Sequence, residues 1–201
     1  MNPSAYWKWL RCSVGVFVLL ACGAAVAVAY QGACPCEEST WTPTTLDDLQ
    51  SLSICELEDL YRRSELGRPM TGVGEGRLLC LTDPRLPRLK VRIARTVWRG
   101  KGACEDGYFT NRWIGGVDWI DSHYVVGPSW VDGKPSVIME YAPKTPLFEN
   151  MHDELREVSP GLYFGPVYER FPCPKLRGYV GVKLKPCAKQ KGCPENGCCP
   201  H

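Results

Sequence analysis

Residues 153–165 read DELREVSPGLYFG: four charged side chains within the first five positions, then a Pro-Gly pair, then an aromatic run. If Asp153–Val158 is extended, the two-residue period places Glu154, Arg156 and Val158 on one face. Asp153, Leu155 and Glu157 then lie on the other. Pro160-Gly161 suits a type II turn, because proline presets φ at the first central position and glycine accepts the positive φ at the second. The stretch is therefore a strand, a turn and a second strand. Alternation splits its acids between two faces, which disfavours a catalytic cluster. Two roles remain for Arg156. It can belong to a polar seam that sets register, or its planar fork can hold a carboxylate or phosphate ligand inside a barrel. A buried charge without a partner is very costly, so any inward-facing member must be paired.

Working outward, the segments YFTNRWIGG, VDWIDSHYVV, SWV, SVIMEY, LREV, LYFGPVY and YVGVKL are short and rich in Val, Ile, Tyr and Trp. Asp132-Gly133 is a hairpin dipeptide, lengthened by Lys134-Pro135. Short strands punctuated by turns predict an antiparallel sheet, and closure into a small barrel removes its exposed edges. Trp98, Trp113, Trp119 and Trp130 would supply interior or rim surface. Upstream, the glycines at 67, 72, 74 and 76 lack the Lys-Ser/Thr of a phosphate loop and predict a loop and turn before a short strand. Residues 86–97 fit both periods, with a lean towards helix. Thr45-Leu46-Asp47-Asp48 and Ser53-Ile54-Cys55-Glu56 both have the form of a helix start. With Ile54, Leu57, Leu60 and Tyr61 at helical spacing, they predict a short amphipathic helical element over 44–66.

The ends differ from this middle. Lys8 and Arg11 precede an uncharged 19-residue run, Cys12–Tyr30, ending in small residues. Residues 1–30 predict a signal peptide or, since about 20 apolar residues span a bilayer, a membrane anchor through 12–30. Leu19-Leu20-Ala21-Cys22 also resembles a bacterial lipobox, although the apolar run continues past the cysteine. Residues 31–43 read as a linker, 44–184 as the domain, and 185–201 as a cysteine-rich tail. Ten of the 12 cysteines lie beyond residue 30. In an exported chain this predicts disulfides that staple the ends. The alternative is a metal site of Cys187, Cys193, Cys198, Cys199 and His201, although C-x5-C-x4-CC matches no standard zinc spacing. Without Lys8 and Arg11 the chain carries 22 basic and 22 acidic residues. That balance argues against nucleic acid as a partner.

In Trp98-Arg99-Gly100-Lys101, the two cations could meet an anionic head group at a pocket mouth while Trp98 covers the apolar part. The plainer alternative is a bend at Gly100 with Trp98 packed in the barrel floor. His152 beside Asp153 could be an oriented base, but neighbours on a strand face opposite ways, and no G-x-S-x-G elbow accompanies them. No catalytic residue and no cofactor is assigned.

CELEDLYRRSELG, WRGKG with Asn111 downstream, SWVDGKPSVIMEY and DELREVSPGLYFGPVY together resemble an uncharacterised bacterial family. Its pattern runs E-L-E-x-L-Y-R, W-x-G-K, N-R, S-W-x-D-G-x-P, then D-E-[IL]-R-x-V-x-P-G-L-Y-x-G. The resemblance covers roughly residues 55–184 and leaves out both cysteine-rich ends. A looser similarity in layout is to G-x-W-x-G proteins of calycin or lipocalin type. It implies a barrel that binds a small apolar, lipid-like molecule. The expectation is a mainly β, calycin-like antiparallel barrel preceded by a helical element and a signal or anchor helix. It would be exported to a bacterial cell envelope, with Trp98, Lys101, Asn111, Arg156 and Tyr163 recognising its ligand. The alternative is a structural envelope protein whose cysteine-rich ends cross-link or bind metal.

Overall fold

The computed structural model describes residues 41–82, 96–104, 107–141 and 148–185, without the side chains of 120–122. The leader 1–30, most of the linker, the cysteine-rich tail and its metal candidates Cys187, Cys193, Cys198, Cys199 and His201 lie outside the described residues.

Eight antiparallel strands close into one barrel in chain order: β1 (Gly72–Leu81), β2 (Trp98–Ala103), β3 (Tyr108–Trp113), β4 (Asp118–Pro128), β5 (Pro135–Tyr141), β6 (Met151–Ser159), β7 (Leu162–Glu169) and β8 (Lys175–Lys185). β8 pairs with β1, so the sheet has no edge. This is the up-and-down order of calycin-type barrels. Two short helices precede it, α1 (Leu46–Ser51) and α2 (Ile54–Arg63). Both start where the sequence places them. Thr45 and Ser53 accept from the backbone N–H groups of Asp48 and Glu56, whose carboxylates accept from the cap N–H groups in return.

Three readings are corrected. The glycines of β1 lie in a strand, because they mark close approach rather than turns. A Cβ on Gly76 would fall 2.5 Å from the Trp98 ring and 2.7 Å from Gly100 Cα. Trp98–Ala103 is likewise a strand, with a bulge between Trp98 and Gly100 in place of a bend. Ser129-Trp130-Val131 belongs to the β4–β5 turn, where Ser129 accepts the Gly133 N–H. Of the segment 86–97, only its last two residues are described, and they are helical. Pro160-Gly161 forms the expected turn between β6 and β7, with Gly161 at φ 73°.

The two faces of the barrel wall carry separate cores. Inside, Ala103, Phe109, Met139, Leu155, Tyr163 and Val182 belong to one buried cluster, with Met70 wholly buried among them. Outside, Leu46, Leu49, Leu57 and Tyr61 from the helices cover Phe164 and Tyr179. Met70 sits on a strap, residues 64–71, that leads from α2 to β1. Tyr124 of β4 donates to the Met70 carbonyl at 3.0 Å, and Tyr163 of β7 donates to the Arg68 carbonyl at 3.1 Å. The strap is thus gripped from two walls of the barrel.

Candidate functional site

β6 distributes its side chains by strict alternation, and each goes to a different task. Asp153 points inward to Lys101 and Tyr141, and Leu155 joins the inner core. Glu157 sits at the strapped end. It accepts from the Arg68 backbone N–H at 2.9 Å, the Arg68 guanidinium at 2.9 Å and the Gly161 N–H at 2.7 Å. Burial raises the Glu157 pKa, but these hydrogen bonds outweigh it and hold the carboxyl below its ordinary value.

Glu154 and Arg156 face outward, yet both are fully buried beneath α2 and the β4–β5 turn. Glu154 accepts from the Trp130 backbone N–H at 2.8 Å, from Tyr61 Oη at 3.2 Å and from the Ser129 hydroxyl. His152 Nε2 is 3.0 Å from Glu154 Oε1, the oxygen that accepts the Trp130 N–H, and the His152 ring stacks on Trp130 at 3.8 Å. Arg156 uses all five of its N–H donors. Two go to Asp132 as a fork at 2.8 and 2.6 Å; the others go to the carbonyls of Tyr61, Lys134 and Pro135. Its guanidinium also lies 4.3 Å from the Tyr61 ring centroid. The Arg156 hydrogen bond lowers the Asp132 pKa against an opposing desolvation effect. Arg156 therefore pins the β4–β5 turn and α2 to the barrel wall. It lies outside the lumen with no donor left for a ligand, which corrects its expected role as an anchor.

The polar centre of the lumen is Lys101. Its ammonium is 1% exposed and donates to Asn111 Oδ1 at 3.0 Å and to Tyr141 Oη at 3.1 Å. Trp98 Nε1 donates to the same Asn111 oxygen at 3.1 Å. Tyr141 Oη in turn donates to Asp153 Oδ2 at 2.5 Å, and that oxygen is 3.7 Å from Lys101 Nζ. The rings of Phe109, Tyr141 and Trp98 stand 4.7, 5.3 and 5.7 Å from the ammonium, within cation–π range. Burial pulls the Lys101 pKa down to about 8 against the opposing pull of Asp153. Burial, reinforced by Asp153, drives the Tyr141 hydroxyl well above its ordinary pKa.

Trp98, Lys101 and Asn111 are thus brought together. Tyr163 is not with them: it grips the strap, with its pKa raised to about 12 by burial and then by Glu157. Arg99 is exposed while Lys101 is buried, so the two cations do not share a mouth. Trp119 is 59% exposed and so not interior, and Trp130 covers His152 on the outer wall. Tyr141 and Asp153 were missing from the expected site. Their signal was present, since the two-residue period puts Asp153 on the face opposite Arg156. The strand pairing that brings that face to Lys101 has no local signature.

Among the described residues no group of three His, Cys, Asp or Glu side chains could hold a metal ion, and no helix is long and apolar enough to cross a membrane. No family model matches the chain. No curated protein matches it. A solved structure, a protein from Thermomonospora curvata, is similar at 16% identity and TM-score 0.48, covering 67% of this chain and 88% of that one. A likeness at that level says nothing of function.

Proposed function

We propose that this barrel is a binding protein for a small, largely apolar, lipid-like molecule carrying one polar end. The observation that carries the reading is the Lys101 centre: a cation, an amide, a phenol and a carboxylate set in an otherwise apolar, aromatic lumen. Ligand sites in barrels combine apolar walls with a few placed polar groups that fix orientation. Trp98, Lys101 and Asn111 from the sequence reading, joined by Tyr141 and Asp153, would recognise the polar end. Arg156 and Tyr163 would keep the wall and strap in place.

The chain would act in a bacterial cell envelope, exported by residues 1–30 or tethered through 12–30. The number of cysteines beyond the leader supports an oxidising compartment. Those cysteines also favour the second reading, a structural envelope protein with cross-linked ends. Thiol counting with and without reductant tests that version, and full reduction of the isolated protein would remove it.

The binding reading is tested by organic extraction of the purified chain with mass spectrometry, followed by titration with lipids of differing head group. A ligand retained or titrated by the native protein and lost in Lys101→Met/Asp153→Leu is the expected result. Absence of both retained and titratable ligand would overturn the reading.

A further inference from the structure

Lys101 is the one buried lysine among the described residues, and its surroundings are unlike those of a simple ion pair. The close acceptors at hydrogen-bond distance, Asn111 Oδ1 and Tyr141 Oη, are neutral. The carboxylate of Asp153 stands further off at 3.7 Å and takes its short bond from Tyr141. Nζ, Tyr141 Oη and the carboxylate therefore form a donor chain, along which a proton leaving Lys101 has a path to Asp153. Tyr141 on β5 and Asp153 on β6 are the titratable groups that face this amine, and Asn111 on β3 completes the cluster. Desolvation favours the neutral amine, in the direction found for Lys101. The resident carboxylate also sets ligand chemistry. A carboxylate head group entering here would place a second negative charge beside Asp153, whereas a neutral carbonyl would not.

We propose that Lys101 is a covalent attachment site for a neutral carbonyl ligand, an apolar aldehyde or ketone, held as an imine inside the barrel. The inference rests on the binding reading above and names its ligand class. The neutral Nζ adds to the carbonyl carbon, forming a C–N bond as the carbonyl π bond opens. The nitrogen, now positively charged, gives up one proton to the chain, and the alkoxide takes one from it through Tyr141, which leaves a neutral carbinolamine. The carbinolamine hydroxyl then takes a second proton, which reaches Asp153 from the amine along the same chain, and leaves as water. Nitrogen closes the C=N bond. One carbonyl compound and one amine give one imine and one water, with no oxidant or reductant. Tyr141 and Asp153 relay protons, and Asn111 with Trp98 positions the amine.

The test uses the full chain, dodecanal as probe, cyanoborohydride to trap any imine as a secondary amine, and peptide mapping of the adduct. Displacement of a fluorescent probe by 1-dodecanol and by dodecanoate reads non-covalent binding separately. The expected adduct lies on Lys101 in preference to the exposed Lys134, Lys175 and Lys185. Dodecanol is expected to displace the probe better than dodecanoate. Tyr141→Phe is expected to slow trapping by about 100-fold at saturating aldehyde, the scale of a lost proton-transfer group. Because the adduct is mapped on the native protein, the result does not depend on a variant folding. Adducts spread over surface lysines while dodecanol still binds would overturn the imine and leave the binding reading standing. Failure of all three probes to bind would remove both.

Discussion

Arg156 on β6 and Lys101 on β2 are both buried cations of the barrel, four strands apart, one facing outward and the other inward, and they are compensated in different ways. Arg156, under the helices, meets five acceptors with five donors, including a forked carboxylate. Lys101, in the lumen, has its carboxylate at 3.7 Å and neutral groups in between. The saturated cation holds elements together, since nothing remains for it to bind. The cation held mainly by neutral groups keeps its charge state open to change, which a binding or reacting group needs.

The sharpest way to break this contrast is Arg156→Met, which leaves Asp132 and three carbonyls without their donor. A loss of about 3–5 kcal/mol in urea unfolding is expected; a loss below about 1 kcal/mol would mean the outer seam does not secure the fold. Next comes pH. The folded Lys101 titrates near 8 and the unfolded one near its ordinary value of 10.5, so between these values the unfolded chain binds more protons. Stability should therefore rise from about pH 8 to pH 10, by about 2–3 kcal/mol relative to Lys101→Met/Asp153→Leu. The outer seam shows the opposite limb: Asp132 is held below its ordinary pKa by Arg156. Its contribution is present above the unfolded value and is lost as pH falls through the folded one.

A smaller effect is expected from Lys101→Met alone. It strands Asp153 beside Tyr141 and should cost about 1–3 kcal/mol, with recovery when Asp153→Leu is added. A double variant no more stable than the single would show that the two groups are not coupled. The smallest change is Ser53→Ala, which removes one half of the α2 capping box. About 1 kcal/mol is expected by thermal unfolding, with no change in ligand titration.

What could be seen in the sequence was what depends on near neighbours. Both capping boxes, the Pro160-Gly161 turn, the run of antiparallel strands and the two faces of β6 follow from spacings of two to four residues. The glycines of β1 misled because a glycine reads alike in a turn and in a strand pressed against another backbone. Gly74 is such a case: a Cβ there would fall 1.9 Å from the Lys183 carbonyl oxygen, on a strand more than a hundred residues later. The site followed the same division. Trp98, Lys101 and Asn111 belong to one hairpin and were found together. Tyr141 and Asp153 reach the same centre from strands β5 and β6. The partner of Arg156, Asp132, comes from a turn whose only local signal was that it is a turn.

Tyr61 has a consequence for how the molecule comes apart. Its hydroxyl lies 2.5 Å from Ser136 Oγ, its ring meets Phe164 edge-on at 6.0 Å, and its carbonyl accepts from Arg156. Three atoms groups of one helical residue thus engage β5, β7 and β6 in turn. Detaching α2 therefore breaks its ties to three strands of the barrel at once, and loosening that wall breaks the same ties. Hydrogen exchange should then find the amides of α2 opening together with those of β6 and β7, in a single cooperative event rather than as a fraying end.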